Sequence, residues 1–322
     1  MNAPLLDLDR PETSDLQDFR RAVLSGLSRQ PRAISAKYLY DARGSALFDD
    51  ICELPEYYLT RTETSILRER ARDIAGLAGK GVALVEFGSG SSVKSRLLLD
   101  AMPDLAVYAP IDISRQHLHE QSARLRRDYP GLPVEPVFGD YMALRSLPGI
   151  AKDAPRLGFF PGSTIGNLEP EEATAFLRNA RALLGHDGAL VVGADLRKDA
   201  KVLHDAYNDS AGVTAAFTLN LLARMNRELD GTFDIDGFTH DASYNAELGR
   251  IEIFFRSLRE QSAMVGGRRF AFGEGERVHT EYSYKYDVHG IEALARSGGF
   301  KIGELWTDKD RLFAVAYLVA DL

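Results

Sequence analysis

The stretch "VEFGSGSSVK" (Val85–Lys94) closes an apolar run with Glu86-x-Gly88-x-Gly90. Glycines in such a turn let the backbone come close to a bound group, and turns of this kind cradle several nucleotide-derived cofactors. A dinucleotide fingerprint wants a third glycine or alanine where Val93 stands, which disfavours hydride transfer. A phosphate-binding loop wants Gly-Lys-Ser/Thr, and "SSVKS" does not supply it. An acid at the end of the next strand, Asp112, follows at roughly the 20-residue spacing expected of a ribose ligand. Asp112 can accept hydrogen bonds from both ribose hydroxyls of an adenosine, and Asp140, one strand later, is placed to flank the adenine. No phosphate has to be held, so Gly88, Ser89 and Gly90 need only approach an amino-acid-like tail. That combination suits S-adenosyl-L-methionine and points to methyl transfer.

The methyl acceptor is read from "FFPGSTIGNLEP". Enzymes that methylate exocyclic amines of bases carry an Asp/Asn-Pro-Pro-aromatic motif here, which this stretch lacks. Asn167 falls where the methyl group would lie, and its carbonyl can accept a hydrogen bond from an amine without adding charge. The competing reading is a loop asparagine that bonds its own backbone.

The elements around these residues alternate. "VALVEF", "AVYAPIDIS", "VEPVFGDY", "RLGFFPGSTIGNL" and "GALVVGADL" read as five strands, the third ending at Asp140. Ser91 or Ser92 is a candidate cap for the helix after the first strand. "EPEEATAFLRNARALLG" opens with Pro170 beside acids and keeps Phe176, Leu177, Ala180, Leu183 and Leu184 on one face. "FKIGELWTD" and "RLFAVAYLV" would close an α/β, Rossmann-like, mostly parallel sheet with an antiparallel edge hairpin. Its ligand is expected outside the carboxyl ends of the strands. The expected methyltransferase domain is 62–197 plus 285–322. A second, α+β substrate-binding domain is expected from 1–61 plus 198–284, which break the alternation.

Composition narrows the class. The chain has 322 residues, 45% hydrophobic and 27% charged, with net charge −8, which argues against a surface for phosphate backbones. No apolar run approaches a membrane span. The opening "MNAPLLDLDRPETSD" is acidic and lacks a signal-peptide pattern, so the cytoplasm is the expected compartment. The single cysteine, Cys52, excludes a disulfide framework and is read as a packing residue. The seven histidines form no metal constellation, and "HLH" at His117 and His119 reads as a solvated helix face. No metal, nucleic acid or membrane partner is expected, only a small amino-acid substrate, and the chain is expected to be a monomer.

"KYLYDARGSALFDDICELPEYYLTRTE", "EFGSGSSVK", "PGSTIGNL", "AYNDSAGVTAAF" and "TEYSYKY" make the chain similar, over essentially its whole length, to the histidine-specific methyltransferase family. The resemblance implies Nα-trimethylation of L-histidine to hercynine, in ergothioneine biosynthesis. It also implies roles for particular residues. Gly88, Lys94, Asp112 and Asp140-Tyr141 would contact the cofactor, and Tyr57 and Tyr207 the substrate carboxylate. Asn167, with the Gly162 backbone nearby, would position the amine. Glu281 and Ser283, with Tyr282 between them, would bind the imidazole, and Tyr40 would lie close by. Two phenols would hold a carboxylate without a cation beside the sulfonium. After "RIE" the chain has Ile253-Phe254-Phe255 where the family often has methionine. An Nα-methyltransferase of another aromatic amino acid, such as a tryptophan derivative, is therefore the alternative. An inactive S-adenosylmethionine-binding protein is the alternative of a different class.

Overall fold

The computed structural model describes residues 13–90, 93–147 and 154–321. The chain divides into two compact units: Met1–Asp50, Asn208–Ser243 and Glu252–Glu281 form the first, and Ile51–Tyr207, Tyr244–Ile251 and Tyr282–Leu322 the second.

The second unit is built on a seven-stranded sheet. Its strands are β1 (Ala83–Phe87), β2 (Val107–Asp112), β3 (Val137–Phe138), β4 (Arg156–Phe160), β5 (Ala189–Asp195), β11 (Phe300–Thr307) and β12 (Phe313–Ala320), in the order β11-β12-β5-β4-β1-β2-β3. β1 to β5 pair in parallel. β12 pairs antiparallel with both β5 and β11, as the closing pair of apolar runs predicts. β1 and β5 are buried at every residue, because helices cover both faces of a parallel sheet. These helices include α3 (Tyr58–Ala78), α4 (Val93–Ala101), α5 (Arg115–Asp128), α6 (Pro170–Leu184), α7 (Ala200–Tyr207) and α9 (Val288–Ser297). In α6 the side chain of Glu172 accepts the Glu169 N–H at 3.0 Å, and Phe176, Leu177 and Leu184 join the core.

β3 is shorter than its sequence suggests, because Pro133 and Pro136 lack the N–H that a longer ladder needs. The strand also ends before Asp140, which lies in the turn that follows. The proposed caps Ser91 and Ser92 lie outside the described residues.

The first unit holds α1 (Thr13–Ser28), α2 (Ala42–Cys52) as far as Asp50, and α8 (Val213–Glu228). Most of β6 (Phe238–Asn245), β7 (Arg250–Ser257) and β10 (Arg277–Tyr284) also belongs to it, in a sheet of order β10-β7-β6. β8 (Gln261–Val265) and β9 (Arg268–Phe272) form an antiparallel pair. Burial in β7 alternates strictly, with Ile251, Ile253 and Phe255 inside. Ile253 and Phe255 are thus core residues, while the Phe254 ring lies 5.3 Å from that of His279. Among the described residues no helix is long and apolar enough to cross a membrane.

Candidate active site

Strand order reverses between β1 and β4, and the loops at the carboxyl ends of the flanking strands carry most of the residues singled out in the sequence. Gly88 and Gly90 after β1 have φ of +79° and +44°, a region that side-chain-bearing residues rarely occupy. A Cβ on Gly88 would stand 3.7 Å from the Tyr141 ring. Ser89 between them is buried, and its Oγ has no hydrogen-bond partner among the described residues. A buried, unpaired hydroxyl in a glycine turn fits a polar ligand that approaches the backbone closely.

Asp112, at the end of β2, accepts the Gly90 N–H at 3.3 Å and the Ser114 N–H at 2.8 Å. Its two oxygens have lone pairs beyond these two bonds. Asp140 accepts the Met142 N–H at 2.9 Å, which fixes its turn. The Tyr141 ring packs edge-on against Phe160 and Phe176, and burial pushes its phenol well above the usual range. His119 is exposed and His117 is half-buried on the polar face of α5, where the His117 Nε2 lies 2.7 Å from the Gly90 carbonyl oxygen and braces the turn.

Beneath the turn Glu86 is fully buried and receives hydrogen bonds from Ser95, at 2.6 Å, and from Tyr108. Burial pushes its carboxyl up to about 8, against the pull of those two donors. An ordinary carboxyl of this type titrates at 4.5, so the folded protein holds a proton here that the unfolded chain releases. The resulting stability is fully present below pH 4.5 and is lost as pH rises through about 8. Glu86→Gln should therefore gain on the wild type in melting temperature as pH goes from 5 to 8. Thermal unfolding across that range checks it, and parallel profiles would show that Glu86 is ionised throughout.

Lys94, in the first turn of α4, forms a 2.5 Å ion pair with buried Glu63 of α3. Glu63 also accepts the Gly162 N–H at 2.8 and 3.0 Å, and a Cβ on Gly193 of β5 would fall 2.0 Å from its Oε1. Glu63 thus ties the turn after β4 to the start of α4. The sequence reading missed this role, although Glu63 is the last residue of the "LPEYYLTRTE" motif.

Beyond β4 the chain turns through Ser163, which has φ of +57°, into a 3-10 turn, Thr164–Asn167. The Ser163 Oγ accepts the Asp195 N–H at 2.9 Å, which pays for the strained conformation and holds the Asn167 loop.

Tyr57 and Tyr207 come together in this unit with ring centroids 6.1 Å apart, and both are buried. The Tyr207 hydroxyl lies 2.8 Å from Ser283 Oγ and accepts from the Lys285 ammonium at 2.8 Å. The argument that phenols keep cations away therefore fails, because a buried ammonium stands directly against Tyr207. Lys285 belongs to the "TEYSYKY" motif, but the sequence reading did not single it out. Tyr282 is half-buried on the opposite side of β10 from Ser283, with the Arg250 guanidinium 3.6 Å above its ring.

Two of the expected residues belong to the first unit. Glu281 is 9% exposed on β10. The Tyr40 ring makes edge contacts with Phe48 and Phe217, at 5.6 and 5.3 Å.

A family model described as histidine-specific methyltransferase, SAM-dependent, matches residues 19–320. The chain belongs to this family. It is 40% identical to the histidine N-alpha-methyltransferase of Mycolicibacterium smegmatis, over 95% of this chain and 96% of that protein. It is 31% identical to the ergothioneine biosynthesis protein 1 of Neurospora crassa over 86% of this chain, which corresponds to 32% of that longer protein. A third relative, the L-tryptophan methyltransferase of Psilocybe serbica, is 30% identical over 94% of this chain and 93% of its own length. As a member of this family the chain is a methyltransferase that uses S-adenosylmethionine, in keeping with the parallel sheet, its antiparallel edge and the glycine turn.

Proposed function

We propose that this enzyme trimethylates the α-amino nitrogen of L-histidine, giving hercynine, in the cytoplasm. The observation that carries the reading is the match of residues 19–320 to a histidine-specific family model. The pairing of Tyr57 with Tyr207, and of Tyr207 with Ser283, agrees with it.

In this reading Gly88, Ser89 and Gly90 approach the amino-acid tail of S-adenosylmethionine, and the carboxylate of Asp112 accepts from its ribose hydroxyls. Asp140 and Tyr141 flank the adenine, and Lys94, through Glu63, holds the adjoining loops. When bound, S-adenosylmethionine supplies an electrophilic methyl group that a neutral amine nitrogen can displace from sulfur. Tyr57 and Tyr207 donate to the substrate carboxylate. Asn167 accepts an amine N–H and aims the nitrogen lone pair, while the backbone of Gly162 closes the same side. Glu281 accepts an imidazole N–H beside Ser283 and Tyr40, while Tyr282, expected to join them, projects from the opposite side of β10 and takes no part. Catalysis in such a site comes mainly from alignment and from keeping the amine neutral.

The direct test is incubation of the purified protein with S-adenosylmethionine and a mixture of amino acids, followed by mass spectrometry. The expected product is trimethylhistidine. The rate should rise on the alkaline side, because an α-amino group titrates near ~8 and only its free base is nucleophilic. Accumulation of the monomethyl product alone, or methylation on the ring, would refute the scheme. The second reading is methylation of a tryptophan derivative, favoured by the Psilocybe relative. Preferential consumption of tryptophan from the same mixture would establish it.

A further inference from the structure

The Lys285 side chain is completely buried, and its Nζ has three partners at 2.8 Å each: Tyr207 Oη, Ser283 Oγ and Asp195 Oδ2. An ammonium has three N–H donors and no acceptor, so all three are used and both hydroxyl oxygens must accept from it. The backbone locks the lysine in place: its N–H donates to Gly249 O at 2.8 Å, and the Tyr286 N–H donates to Asp195 O at 2.9 Å. Asp195 is itself fully buried and also accepts from Tyr58, at 2.8 and 2.9 Å, and from Lys198, at 2.5 Å. Asp195 thus faces both lysines, with Asp308 also acting on Lys198, and it is the Lys285 ammonium that stands against Tyr207 and Ser283.

The donor-only character of Lys285 obliges both hydroxyls to accept from it, so each must point its own O–H elsewhere, toward the other hydroxyl or toward a ligand. With one lone pair of each oxygen taken by the ammonium, the hydrogen bond between Tyr207 and Ser283 can run either way. Only one direction leaves Tyr207 with its O–H free for an anion. In that arrangement Ser283 donates to Tyr207, Tyr207 donates outward, and Ser283 keeps a lone pair for an incoming N–H. An amino acid carrying a carboxylate and a ring N–H matches these two ends.

We propose that Lys285 is a positioning residue, orienting the Tyr207–Ser283 pair so that Tyr207 donates to the substrate carboxylate and Ser283 accepts a substrate N–H. This rests on the functional reading above, in which Tyr207 holds the carboxylate. Titration agrees with it. Burial works against the charge of Lys285, but Asp195 and Tyr207 hold its ammonium above the usual range. Burial likewise raises the Tyr207 phenol, despite the pull of Lys285, so the proton it would donate stays on the oxygen.

The test compares L-histidine with L-histidinamide, which keeps the amine and ring but lacks the carboxylate charge. In Lys285→Met, kcat/KM for histidine should fall about a hundredfold, mostly through KM, since a charge-supported hydrogen bond in a buried site is lost. Histidinamide should lose less than about fivefold on the same reasoning, so the preference for the free acid collapses. Affinity for S-adenosylmethionine and the thermal unfolding profile serve as controls of folding. Lys285→Gln, which keeps an N–H donor without the charge, is the second variant should methionine destabilise the core, and its preference should also collapse. Adding Tyr207→Phe to either variant should cost little more, because the lysine acts through that hydroxyl. Equal losses on both substrates in a folded variant, or full additivity with Tyr207→Phe, would overturn the inference. Where the wild type turns over histidine, such a result leaves the proposed function standing. A wild type inactive on histidine would overturn both.

Discussion

Asp112→Ala should weaken S-adenosylmethionine binding by about tenfold to somewhat more than a hundredfold while the protein remains folded. Asp112 ends β2 at the carboxyl edge of the sheet, and only two N–H groups, from Gly90 and Ser114, occupy its oxygens in the bonds described above. Hydrogen bonds to a charged group contribute about 1.5–3 kcal/mol each. Each 1.4 kcal/mol is about tenfold in affinity, so losing one ribose contact weakens binding about tenfold to a hundredfold, and losing two at the low end of that energy gives somewhat more than a hundredfold. The same carboxylate steadies the Gly90 turn, so a modest drop in melting temperature should accompany the loss. Asp112→Asn, which keeps one oxygen acceptor, should fall between the two. Calorimetric titration makes the measurement. Unchanged affinity in a folded Asp112→Ala protein would remove Asp112 from the cofactor site.

Glu281→Ala should change which amino acid is accepted. A site that hydrogen-bonds a polar ring rejects analogues lacking that group far better than an apolar pocket rejects an extra methylene. Glu281 is a strand residue that is only 9% exposed, so its carboxylate has little water to compensate for a missing ring N–H. The variant should lose on the order of a hundredfold in kcat/KM for histidine, with KM rising steeply, and much less for tryptophan or phenylalanine. Tyr57→Phe should instead weaken all amino acids alike, because each carries the carboxylate. Measuring kcat/KM for histidine and tryptophan with both variants separates the roles. A common factor for both substrates in Glu281→Ala would mean that Glu281 does not set specificity.

What the sequence determined by itself is local. The turn at Gly88–Gly90 follows from an apolar strand that must end and a helix that must begin, and the glycines' positive φ values answer that need. Asp112 was legible because strand ends in a parallel sheet all face one edge, and the spacing from the turn counts one strand–helix repeat. The helix from Pro170 and the antiparallel edge were legible from period and order along the chain. What only the tertiary structure decided are the partners of buried charge. Glu63 meets Lys94 across 31 residues, and Lys285 meets Tyr207 across 78 and Asp195 across 90. The sequence places His117 on a solvated helix face, and only the fold shows that it also meets a backbone carbonyl 27 residues away. No periodicity encodes such pairs, since a lysine or glutamate at a given register reads the same whether it faces water or a counter-ion. Burial resolves the ambiguity: an isolated charge in the interior costs far more than a paired one, so folding must bring these groups together. That is why the resemblance could assign Tyr207 to a substrate carboxylate, yet only the fold shows it as a phenol held by an ammonium.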